Sequence, residues 1–119
     1  MCIALLGHSK SLELAKNSDN PNVLLDIYRF YSSNTSSSYK YNKKAREIYE
    51  ALAKNEAVPR NILNALYYYH SFQEKINVEI YVSLAQNKNT PEEIRHNLSG
   101  VAKSPFIPPI IREEIMAAL

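Results

Sequence analysis

At 119 residues, 45% of them hydrophobic and 22% charged, the chain reads as one soluble domain, 1–119, able to bury a core. Two glycines and no tryptophan argue against an all-β fold with its many special turns, and a net charge of +2 is too small for a dedicated nucleic-acid binder. The single cysteine, Cys2, allows neither an internal disulfide nor a thiolate metal cage, which points to a reducing, cytoplasmic setting.

The first apolar run, Cys2 to Leu6, is too short to span a bilayer. It lacks the flanks of a secretory signal, so no membrane is expected among the partners. Taken in order, apolar periodicity predicts helices over 3–16, 22–33, 41–55, 59–71, 76–87, 91–103 and 109–118. Between the second and third lies a polar run, 32–38, with little to bury, and a mobile surface loop is expected there. On the third helix Ala45, Ile48, Tyr49 and Leu52 share a face, as do Val78, Tyr81, Leu84 and Ala85 on the fifth.

A repeated joint organises this series. Leu14-Ala15-Lys16-Asn17 with Pro21, Leu52-Ala53-Lys54-Asn55 with Pro59, and Leu84-Ala85-Gln86-Asn87 with Pro91 share one pattern, and Val101-Ala102-Lys103-Ser104 with Pro108 is a fainter copy. Counted from each proline, the third residue is Leu24, Ile62, Ile94 or Ile111. The seventh is Tyr28, Leu66, Leu98 or Ile115, and the tenth Tyr31, Tyr69, Val101 or Ala118. Steps of three, four and three mark the buried stripe of an amphipathic helix. Proline suits a first helical position, where its missing N–H has no partner to lose. Thr90-Pro91-Glu92-Glu93 is the best formed start, with Thr90 as cap and Glu93 as its capping-box partner. Asn20 is also a good cap, whereas Val58 and Ile107 leave their helices to rely on packing.

The segments LAQNKNTPEEIRHNL and LAKNEAVPRNILNAL resemble leucine-rich repeat variants. The resemblance implies an all-α fold: an irregular right-handed α-α superhelix, similar to HEAT and armadillo arrays, of about seven short helices. Some members of that family bind an iron–sulfur centre through an N-terminal cysteine cluster. With Cys2 alone, no cofactor is carried over, and the family supplies no catalytic residue to transfer.

Candidate sites are few. His8, His70 and His96 are too far apart in sequence to pair as metal ligands on one helix, and no phosphate loop or nucleophile motif is present. Neither catalytic nor metal residues are therefore assigned, and an enzyme is not expected. A hydrolase or glycosylase on a HEAT-type scaffold would need an acidic residue in a basic concave groove.

Tyr39, Lys40, Tyr41, Lys43, Lys44 and Arg46 interleave rings with cations, as sites for phosphates and stacked bases do. The plainer reading is a solvated helix entry. In Tyr67-Tyr68-Tyr69-His70, the columns put Tyr69 inside, Tyr68 at the edge and Tyr67 outside. Tyr67 and His70 are thus the candidate protein-binding residues, although such a stripe more commonly packs inward. The expected function is a non-enzymatic interaction module with a protein partner or self-association. Nucleic acid or phosphate binding through 39–46 is the alternative.

Overall fold

A computed structural model of the protein describes residues 3–33, 39–70 and 78–119. Among them all regular structure is helical, and strands are absent. A 3₁₀ turn, Ile3–Leu5, precedes α1 (Gly7–Asn17). There follow α2 (Pro21–Ser33), α3 (Tyr39–Lys54), α4 (Arg60–Ala65), α5 (Val78–Gln86), α6 (Glu92–Val101) and α7 (Pro109–Ala118). A π-helical turn, Leu66–His70, continues directly from α4. Among the described residues seven α-helices are seen where about seven were expected. Most boundaries fall within two residues of the expected ones.

The main departures have local causes. The first helix does not begin at residue 3, because Gly7 takes φ 78°, a conformation that ends the preceding turn and that glycine adopts without steric cost. Of the expected loop at 32–38, Ser32 and Ser33 form the last residues of α2, and 34–38 lie outside the described residues.

The helix starts also differ from expectation. Pro59, Pro91 and Pro108 have ψ of 147°, 148° and 141°, so each stands before its helix as an extended N-cap residue. The Pro91 carbonyl accepts from Arg95 N–H at 3.0 Å, which makes it the cap by definition. Thr90 is not the cap: its hydroxyl donates to the Leu84 carbonyl at 2.6 Å, satisfying one of the orphaned acceptors at the end of α5. Glu93 does not close a capping box but accepts from the Tyr68 hydroxyl at 3.4 Å. Only the first joint follows the expected scheme. There Pro21 is helical and the Asn20 side chain accepts from Asn22 N–H at 3.0 Å.

Helices alternate between two rows. In one row α1 packs on α3, α3 on α5 and α5 on α7. In the other, α2 lies against α1 and α3, the π turn after α4 against α3 and α5, and α6 against α5 and α7. The thinnest dimension is 19 Å, about two helix diameters. Thus α1/α2, α3/α4 and α5/α6 are hairpins. The link from α6 to α7 sits at the opposite end of α6 from the third joint.

Burial follows this layout. Central α5 buries six consecutive residues, Ile80, Tyr81, Val82, Ser83, Leu84 and Ala85, as a helix covered from several directions must. In α3 the expected face of Ala45, Ile48, Tyr49 and Leu52 is buried. The outer helices of that row bury far less: α1 only Ser11 and Ala15, α7 only Ile115. Of the aligned columns, Leu24, Ile62, Ile94, Leu66, Leu98, Ile115 and Tyr31 are buried. Tyr28, Ile111, Val101 and Ala118 are half-buried. The Tyr69 side chain lies outside the described residues.

Candidate interaction surface

Polar order is concentrated at the joints. After α3, Asn55 is buried and its side-chain N–H groups donate to the carbonyls of Ala15 (3.0 Å) and Ser18 (2.9 Å) in the first joint. Its Oδ1 accepts from the Ala57 N–H at 2.8 Å. After α5, Asn87 repeats this arrangement. It donates to Ala53 O (2.9 Å) and Asn55 O (3.1 Å), and accepts from Asn89 N–H at 2.9 Å. Each amide thus fixes its own turn and ties its hairpin to the previous one. Arg95 of α6 ends the series, donating to Asn87 O at 2.9 Å and, more weakly, to Ala85 O at 3.4 Å. Sequence reasoning took the asparagines as part of a turn and missed this cross-linking. The available signal was their recurrence three residues after leucine.

The fourth joint keeps the turn and lacks the cross-link. Ser104 Oγ accepts from Phe106 N–H at 3.3 Å, and Ser104 O accepts from Ile107 N–H at 3.3 Å, matching Asn55 O with Val58 and Asn87 O with Thr90. A serine side chain has a single hydroxyl on a short stem and cannot bridge two distant carbonyls while closing its own turn.

A second polar cluster joins the first three helices. His8 Nε2 lies 3.0 Å from Glu47 Oε2, and His8 Nδ1 lies 3.0 Å from the Tyr31 hydroxyl. The hydrogen bond from His8, opposed by partial burial, holds the Glu47 carboxyl below its ordinary range, with smaller help from the charges of His8, Lys43 and Lys16. An ionised carboxylate only accepts. His8 Nε2 therefore donates to Glu47 in either form of the ring; Nδ1 accepts from Tyr31 when the ring is neutral and donates to it when the ring is charged. Such a relay can pass a proton in chemical terms. Tyr31 is 3% exposed, and the cluster staples α1, α2 and α3 together. His96 is exposed. Among the described residues, no three of His, Cys, Asp and Glu are grouped as metal ligands.

The tyrosine cluster is turned relative to the columns. Tyr67, expected to face outward, is half-buried, with its ring 6.2 Å from that of Tyr81 and 5.0 Å from that of Tyr68. Burial, followed by the neighbouring Tyr81 and Tyr68, raises its phenol pKa. Tyr68, placed at the edge by the columns, is instead 49% exposed. The π turn is the cause: its wider i→i+5 spacing takes a smaller angular step per residue, so α-helical columns misplace side chains within it. The hydroxyl of Tyr68 reaches α6 at Glu93 and, at 3.5 Å, Asn97. The side chain of His70 lies outside the described residues.

In the basic segment, Lys43 and Arg46 are exposed on α3 and Lys44 is half-buried. The side chains of Tyr39, Lys40 and Tyr41 lie outside the described residues, although their backbone belongs to α3. Ala45 on the same turn is buried, which fixes the inward face of this stretch.

Of the large apolar side chains that are exposed, Phe106 (83%) precedes α7, Ile110 (70%) and Met116 lie on it and Leu119 follows it. Leu5 is exposed beside α1. Among the described residues no helix is long and apolar enough to cross a membrane. Comparison with known proteins supplies no relative: no family model, no curated protein and no solved structure matches this chain.

Proposed function

We propose that the chain is a helical-repeat interaction module that binds another protein, built on the right-handed superhelical plan that its resemblance to leucine-rich repeat variants implies. Three hairpins linked in series by Asn55 and Asn87, with the second and third joints built alike, support the repeat reading. The observation that carries the binding reading is the α7 end, where Phe106 and Ile110 stand 83% and 70% exposed. Large apolar side chains this exposed and four residues apart offer contact points for a partner. Tyr68, exposed and anchored through its hydroxyl to α6, offers a second contact at low entropic cost. The single cysteine suits work in a reducing cytoplasm.

The test pairs capture with folding. Phe106→Glu combined with Ile110→Glu should weaken retention of a defined partner by more than tenfold, since central apolar anchors are each worth about 2 kcal/mol. The circular-dichroism melt should stay within a few degrees of the parent. Capture unchanged by the double variant would remove this surface from the reading. The nucleic-acid alternative, favoured by exposed Lys43 and Arg46, is separated by titrating labelled DNA and RNA at two salt concentrations. Phosphate contacts make affinity fall with salt.

A further inference from the structure

We draw no further inference here: the strongest candidate, the exposed apolar side chains Phe106, Ile110 and Met116 before and on α7, already carries the proposed function, and nothing in the structure shows what covers them.

Discussion

The joints at Leu84–Pro91 and Val101–Pro108 share their apolar spacing and their N-cap proline, yet they play different parts. Both close a turn in which a side-chain oxygen accepts from the N–H two residues later. At the first, Asn87 also reaches into the preceding hairpin and pairs two carbonyls there. At the second, Ser104 has no amide to extend, and the joint lies at the other end of α6, where it leads into α7. The local pattern encodes the turn. Whether that turn also locks two hairpins depends on one side chain and on which end of the bundle it occupies.

The largest expected effect tests the buried leucine. Leu84 is fully buried, and Leu84→Ala should cost about 2–5 kcal/mol by urea unfolding, the range for cavity-forming core truncations. Val101 holds the same place in the fourth joint but is half-buried. Val101→Ala should cost about 1 kcal/mol, in keeping with less apolar area removed from contact. Equal losses would mean that the two joints are packed alike.

The next effects separate the cross-link from the turn. Asn87→Ala strands the buried Ala53 carbonyl, takes one of two donors from the Asn55 carbonyl and frees the half-buried Asn89 N–H, and should cost about 1–3 kcal/mol, because an unpaired buried group loses its solvation without replacement. Ser104→Ala removes one bond at a half-buried site, and about 0.5 kcal/mol is expected. The comparison fails if the serine change costs as much as the asparagine change. Arg95→Met keeps much of the aliphatic stem and removes the donors to Asn87 and Ala85. About 1–2 kcal/mol should be lost, with amide exchange accelerated around residues 87–91.

The smallest effect concerns the staple at the other side of the molecule. The folded-state pKa of Glu47 lies below its ordinary value, chiefly because His8 hydrogen-bonds its charged form. Such a group stabilises the fold above its unfolded pKa, and that contribution disappears as pH falls through the folded value. Glu47→Gln should therefore lower the melting temperature slightly at pH 6, and the difference should shrink as pH falls below about 4.5 and through the lower folded value. Glu47 is 42% exposed, so solvent screening keeps the effect small. A gap that widened on acidification would contradict the staple.

Much of the helical layout was legible because the period of apolar residues is a local property. Leu24, Leu66 and Leu98 could be placed inside from spacing alone, and they are fully buried. Asn20 could be identified as a cap because a short acceptor beside a proline has few other uses. Thr90 misled for a related reason. Its hydroxyl could accept from the first turn of α6 or donate to a carbonyl at the end of α5, and it donates to the orphaned Leu84 carbonyl. Tyr67 and Tyr68 were misassigned because the columns assumed an unbroken α-helix, and a widened turn is invisible to a fixed period.

By itself, then, the sequence determined where helices form, where they stop and which stripe of each is apolar. Those outcomes rest on φ restriction, capping and spacing within a few residues. Tertiary structure decided what the repeated asparagine is for. A buried amide must find partners, and the carbonyls that satisfy Asn55 and Asn87 come from segments more than 30 residues earlier in the chain. It also decided that the fourth joint faces the opposite end of the bundle and that α7 buries Ile115 while leaving Ile110 and Met116 exposed, since both depend on which helices become neighbours.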